Sequence, residues 1–295
     1  MAVTAAMVKE LRERTGLGMM DCKKALTESG GDMEAAIEAL RKSSALKAAK
    51  KSGRTTADGL LGVKVSADGK RGSLVEVNIE TDFAAKNEKF IAFVETVLSA
   101  VHEAGSDDVA PLMAGDLESR REALVQEIGE NISVRRAVHF HTADGFITSY
   151  LHGDNRKAVL VELDKADETL GRDIAMHITA INPMVVTSSE VPQEVLVKER
   201  EIYTSQAADS GKPADIVEKM VEGRVRKFLA EVSLVDQPFV KDAGVKVGQL
   251  LKEKGNACRR FVRFEVGEGI EVQAEDFAAE VAKQIEGAAK SRNQG

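Results

Sequence analysis

A chain of 295 residues, 43% hydrophobic and 30% charged, is long enough for two or three domains with buried cores. Aromatics make up only 4% and Trp is absent, so aliphatic cores and Ala-rich helices are expected. A net charge of −7 opposes free binding to nucleic acid, whose affinity rests on Lys and Arg neutralising phosphates. Cys22 and Cys258 lie far apart, with no CxxC and no neighbouring His. They predict neither a metal site nor a disulfide, and fit reduced thiols in a cytoplasmic protein. No run of 18 apolar residues exists to span a membrane. Met1-Ala2-Val3-Thr4 has neither an apolar signal core nor an Arg-rich transit character.

The first 40 residues read as three short helices. Thr4 can cap a helix carrying Met7, Val8 and Leu11, which stops before Gly16-Leu17-Gly18. A second starts near Met20, with Cys22, Ala25 and Leu26 inward, and ends at Ser29-Gly30-Gly31. Asp32 caps a third with Met33, Ala36, Ile37 and Leu40 at helical spacing. So small a bundle has little core of its own and suits a docking module. From Arg41 to Arg54 the chain carries six basic residues and no acid. This is either a phosphate contact or a solvated linker helix, and the acidic balance of the whole chain favours the linker.

The middle of the chain repeats itself. In the first unit, Asp58-Gly59 opens a strand, an Asp68-Gly69 turn follows, and a second strand runs from Leu74 to Ile79. A helix from about Asn87 then carries Phe90, Val94, Val97 and Val101 on one stripe. In the second, Asp144-Gly145 opens a strand, Gly153-Asp154-Asn155 turns it, and Ala158–Leu163 returns. The helix after it carries Leu170, Ile174, Ile178 and Ile181. A hairpin plus a helix, twice, predicts two α+β units on antiparallel strands. A helix from Leu117 to Gly129 and a strand from Ile132 to Phe140 intervene.

Between Pro192 and Leu229, two helical stretches flank Ser210-Gly211-Lys212-Pro213, a stop-and-restart signal. Val195, Ile202 and Tyr203 on the first, and Val217, Met220, Val221, Val225 and Phe228 on the second, predict an antiparallel coiled-coil hairpin. Phe261–Val266 alternates like a strand completing the second sheet. A last amphipathic helix carries Phe277, Val281 and Ile285. It either reaches a partner or folds back on its own core.

Catalytic patterns are missing. There is no GxxxxGK[ST] to cradle a nucleotide, no GxSxG and no HExxH, so neither enzymatic chemistry nor a cofactor is expected. His139 and His141 alternate on one strand face without an evident third ligand, which makes them rim histidines. His177 lies near an apolar stripe, and His152, at a hairpin turn, is expected to be exposed. One string stands out: Thr81-Asp82-Phe83-Ala84, directly after a strand. Either Thr81 or Asp82 caps the next helix while Phe83 packs back as a staple, or Phe83 stays outside beside a carboxylate to enter a partner's pocket.

These residues together resemble the bacterial elongation factor Ts family over essentially the whole chain. The resemblance rests on Val8-Lys9-Glu10-Leu11-Arg12, on Thr15–Leu26, on Thr81-Asp82-Phe83 and on Gly129-Glu130-Asn131-Ile132. It continues in Ser210-Gly211-Lys212-Pro213, Met220–Arg224, Gln237-Pro238-Phe239-Val240 and Arg263–Ile270. Ala84 departs from the Val common in the family. The resemblance implies an α+β fold with a ubiquitin-associated-like helical module and basic linker (1–54). A first core subdomain (55–142), a second (143–190 with 231–267), a coiled-coil insertion (191–230) and a C-terminal helical module (268–295) follow. It implies a guanine-nucleotide exchange factor for elongation factor Tu. The expected contacts are Arg12, Gly16, Leu17, Gly18, Met19 and Met20 from the first module, and Thr81, Asp82, Phe83 and Ala84 as a wedge. His152 from the second subdomain and Phe277 from the C-terminal module complete them. Association of two copies through the core or the coiled coil stays open.

Overall fold

The computed structural model describes residues 3–208 and 213–271. Helices α1 (Ala5–Thr15), α2 (Met19–Glu28) and α3 (Met33–Lys51) begin where local chemistry supplies caps. Thr4 accepts from the Met7 N–H and Asp32 from the Ala35 N–H. Gly16 ends α1 in the left-handed conformation, which costs glycine no steric strain. Val8, Leu11, Leu17, Cys22, Leu26 and Leu40 form the small core between the three helices.

Strands β1 (Asp58–Val65) and β2 (Arg71–Ile79) form a hairpin, followed by the single turn α4 (Asp82–Ala85) and by α5 (Glu88–Ala104). The short α6 (Ala110–Met113), α7 (Asp116–Ile128) and β3 (Ile132–His141) complete the first unit. The second repeats the plan with β4 (Phe146–Leu151), β5 (Lys157–Leu163) and α8 (Glu168–Ile181). Helices α9 (Gln193–Ala208) and α10 (Ala214–Val232) follow. The small β6 (Pro238–Phe239) and β7 (Asp242–Lys246), α11 (Val247–Glu253) and β8 (Cys258–Glu265) end the described chain. The fold is α+β, with antiparallel sheets ordered β1-β2-β3 and β4-β5-β8.

Strand periodicity explains the packing. Val75, Val77 and Ile79 of β2 face α5, where Phe90, Val94, Val97 and Val101 cover them. Val159, Val161 and Leu163 of β5 likewise face Leu170, Ile174 and Ile178 of α8. The alternate residues Leu74, Ala158 and Leu160 point the other way, into a shared layer with Leu61, Phe140, Ile147 and Phe264. The two sheets therefore pack on each other, and β2 and β5 are buried on both faces. They approach closely at Gly72, where a Cβ would sit 2.7 Å from the Ile147 Cγ2.

Three expectations change. The basic stretch is no separate solvated linker: Arg41–Lys51 is the second half of α3. Leu40, Ser44 and Ala48 recur every fourth residue and are buried, so Arg41, Lys42, Lys47 and Lys50 occupy the other, exposed face. Ser44 hydrogen-bonds the Gln126 side chain of α7 at 2.8 Å, and Lys51 donates to the Gly129 carbonyl. Ile181 is exposed, because α8 ends there at Asn182 after its covered turns. In the helical hairpin, Ile202 is exposed while Tyr203 and Ala207 meet Val217, Val221, Val225 and Leu229. Residues 210–212 of the stop-and-restart signal lie outside the described residues. So do Phe277, Val281 and Ile285.

Candidate partner-binding site

Strand β2 ends buried at Ile79, and the next residues are braced from two sides. Glu80 accepts the Asn131 N–H at 2.6 Å and pairs with Arg54 at 3.4 Å. Asn131 in turn donates its side-chain amide to the Arg54 carbonyl at 3.0 Å. Both the N–H (3.0 Å) and the hydroxyl (2.8 Å) of Thr81 donate to the Glu130 carboxylate. The same hydroxyl oxygen accepts from the Ala84 N–H at 3.2 Å, capping α4. This one-turn helix buries Ala84 and Ala85 and leaves Asp82 and Phe83 on its outer side. Asn87 caps α5 separately, accepting from the Lys89 N–H at 2.9 Å, so the chain changes direction before Phe90 enters the core.

Phe83 is 81% exposed. The staple arrangement is thus absent, although Thr81 caps as expected. Lys86 stands 5.3 Å from the Phe83 ring centroid and donates to Asp82 at 2.9 Å. That hydrogen bond, with the Lys86 charge behind it, holds the Asp82 carboxyl below the usual carboxylate range. The more distant charge of Arg156 acts in the same direction. Arg156 also pairs with Asp58 at the start of β1, opposite Ile79 in the sheet. The β4–β5 turn is therefore at the same end of the molecule as Phe83. His152 lies in this turn, exposed, with its Nδ1 3.3 Å from the Tyr150 hydroxyl.

In the N-terminal module, Met19 (58%) and Met20 (76%) are exposed at the start of α2, beside the exposed Arg12, Gly16 and Gly18. Leu17 is buried, so its side chain supports the loop from below instead of reaching outward. Lys89 of α5 donates to the Gly16 carbonyl at 3.4 Å and pairs with Glu127 of α7, which ties this loop to the helix following Phe83. Sequence reasoning missed the bracing set of Glu80, Glu130, Lys86, Lys89 and Arg156. The Gly129-Glu130-Asn131-Ile132 string was its one visible signal.

The other singled-out groups are structural. His177 accepts the Val240 N–H on Nδ1 (3.1 Å) and therefore carries its proton on Nε2, 2.9 Å from the Gln237 oxygen. His139 contacts Ser73 at 2.8 Å and meets His102 edge-on. Burial pushes the Cys258 thiol up to about 12, which leaves it protonated and unreactive. No group of three or more His, Cys, Asp or Glu side chains among the described residues could hold a metal ion. No described helix is long and apolar enough to cross a membrane.

Comparison of the sequence with known proteins assigns the chain to a family. The family model described as Elongation factor TS covers residues 80–268, starting at the braced corner itself. Elongation factor Ts of Hahella chejuensis is 58% identical over 286 residues, covering 97% of this chain and 99% of the relative. The chain belongs to the elongation factor Ts family. The Saccharophagus degradans elongation factor Ts is 57% identical over 97% of this chain and 98% of its own length. That of Cellvibrio japonicus is 56% identical over 98% and 99%. As a member of the elongation factor Ts family this protein is a translation elongation factor.

Proposed function

We propose that this protein is a guanine-nucleotide exchange factor for elongation factor Tu, working in the cytoplasm without covalent chemistry and without a cofactor. Phe83 carries the reading: a large apolar side chain is held outside its own core on a one-turn helix braced by Glu130 and Thr81. Leaving such a ring in water forgoes about 1.5–3 kcal/mol of burial, which a partner's pocket can supply on docking. Its direction is set before the partner arrives, so little ordering entropy opposes binding.

Asp82 and Phe83 enter between helices of the partner's GTP-binding domain. Nucleotide there is held by backbone amides around the phosphates and by a Mg²⁺ that demands near-ideal octahedral geometry. A ring that displaces the supporting helices spoils both, and nucleotide leaves faster. Linkage requires the converse: incoming nucleotide weakens the exchange factor's hold by the same factor and expels it. The exposed Met19 and Met20 dock the first module on the same domain, with Arg12 and the Gly16–Gly18 loop around them. The turn with His152 supplies a contact on a distal β domain. Phe277 of the C-terminal module adds a further one. The hairpin of α9 and α10 projects as a coiled coil through which two copies can associate. The units bounded at 54, 142, 190, 230 and 267 serve these separate contacts.

The test is release of a fluorescent GDP analogue from elongation factor Tu. Catalytic amounts of this protein are expected to accelerate it strongly, and no acceleration by folded protein overturns the reading.

A further inference from the structure

The layer between the two sheets holds more than apolar side chains. Glu76 of β2 points into it with a fully buried carboxylate, and Glu162 of β5, the equivalent strand, does the same at 6% side-chain exposure. Each sits opposite an arginine on the neighbouring strand: Glu76 pairs in register with Arg136 of β3, Glu162 with Arg260 of β8. Arg136 Nε donates to Glu76 at 2.6 Å and Arg260 Nε to Glu162 at 2.7 Å. Both β2 and β5 shift register directly after the glutamate.

The arginines then cross to the opposite sheet. The Arg136 guanidinium lies 4.0 Å from the centroid of Phe264 in β8, and Arg260 lies 4.0 Å from that of Phe140 in β3. Arg136 also donates to the Glu265 carbonyl and Arg260 to the His141 carbonyl, each at 3.2 Å. Glu76 completes its shell with the Gly267 N–H (2.8 Å), Asn78 (3.0 Å) and Arg135 (3.0 Å).

Apolar burial attracts without direction, and beyond the backbone bonds from Ile147 to Gly69 and from Leu61 to Asn155 the orientation of the two sheets rests on the directional contacts between their side chains. A planar guanidinium held by a carboxylate and stacked on a ring has one orientation. Burying a charge in this way adds little net stability over apolar residues of the same size, so its contribution lies in geometry.

We propose that these two reciprocal Glu–Arg–Phe clamps lock the sheets at one angle and make Phe140, Phe264, Arg136 and Arg260 positioning residues for nucleotide exchange. The inference rests on the exchange reading above. Phe83 follows a strand of the first sheet and His152 a strand of the second. A wedge displaces its partner only if the push is resisted through a second contact. When the sheets can rotate, both contacts form and the partner stays undistorted.

The test replaces Phe140 and Phe264 together by Leu, which removes both stacks and leaves each Glu–Arg pair in place. Spin labels at Glu95→Cys on α5 and Thr169→Cys on α8 report the angle by pulsed dipolar distance measurement. Both positions are exposed and the native thiols are buried. The expected result is a broadened distance distribution and a maximal GDP-release rate lowered roughly tenfold. The half-saturating concentration should be unchanged. An unchanged distribution in the folded variant refutes the clamp. A broadened distribution with an unchanged maximal rate refutes its positioning role, as does a shift confined to the half-saturating concentration. Should the double variant fail to fold, Arg136→Lys with Arg260→Lys keeps both charges and removes the planar stacks, and the same outcomes apply. If the unmodified protein fails to accelerate release, the exchange reading falls, while the distance measurement still judges the clamp.

Discussion

Replacing Phe83 by Ala separates folding from function more cleanly than any other single change. With 81% of the residue exposed, only about a fifth of a phenyl side chain's roughly 200 Å² is covered by its own fold. At about 25 cal/mol per Å² the lost burial is about 1 kcal/mol, and the cap at Thr81 and the bracing by Glu130 do not involve the ring. Phe90, fully buried seven residues on, is the internal contrast: its truncation should cost about 3–5 kcal/mol. In the partner's pocket, an anchoring aromatic is worth about 2 kcal/mol or more, a factor of roughly 30 in rate. The assay is stopped-flow release of fluorescent GDP from elongation factor Tu, beside urea denaturation of both variants. Phe83→Ala should unfold close to the parent yet exchange some thirtyfold more slowly, whereas Phe90→Ala should be strongly destabilised. A Phe83→Ala protein that exchanges at the parental rate would refute the wedge.

Thr81→Ala removes the α4 cap and one of the two hydrogen bonds to Glu130, and should cost about 1 kcal/mol of stability. It should also slow GDP release less than Phe83→Ala does, with Thr81→Ser close to parental; a Thr81→Ala protein that exchanges at the parental rate would show that the brace does not aim the ring. Stability should fall as pH drops below about 6.5, the imidazole value in an unfolded chain. His102, His139 and His177 are held below that value, first by burial, and the first two also by the neighbouring Arg71. The unfolded chain therefore binds more protons in this window, so acid favours unfolding until the native pKa values are passed. Glu76 adds a loss only at lower pH: burial raises its carboxyl, but the Gly267 N–H, Asn78 and Arg136 outweigh this and hold it low. Urea midpoints at pH 7.5 and 5.5 measure the effect, and a midpoint that rises on acidification contradicts it. Finally, Cys22 and Cys258 are buried and the Cys258 thiol is held protonated, so a thiol reagent should label neither before unfolding; rapid stoichiometric labelling of folded protein would contradict the packing.

What the chain by itself determined is the set of features written in neighbouring residues. Caps at Thr4, Asp32 and Asn87, the Asp68-Gly69 turn, strand alternation and helical stripes depend on residues a few positions apart, and α1, the start of α3, the β1–β2 hairpin and α5 form where those signals put them, whereas α6, β6, β7 and α11 had no such signal. The Thr81-Asp82-Phe83 corner was legible for the same reason, since a strand run ends there and a capping residue follows. Which way Phe83 points was not, because capping by Thr81 is compatible with a ring packed inward or left outside; only the separate cap at Asn87 and the burial of Ala84 and Ala85 turn it out. The packing of α3 on α7, the stacking of the two sheets and the approach of Arg156 to Asp58 and Asp82 join residues distant in the chain. Periodicity carries no information about such pairings. They are decided by which buried faces find each other when loop entropy, apolar burial and the cost of leaving Glu76 and Glu162 unpaired are balanced over the whole molecule.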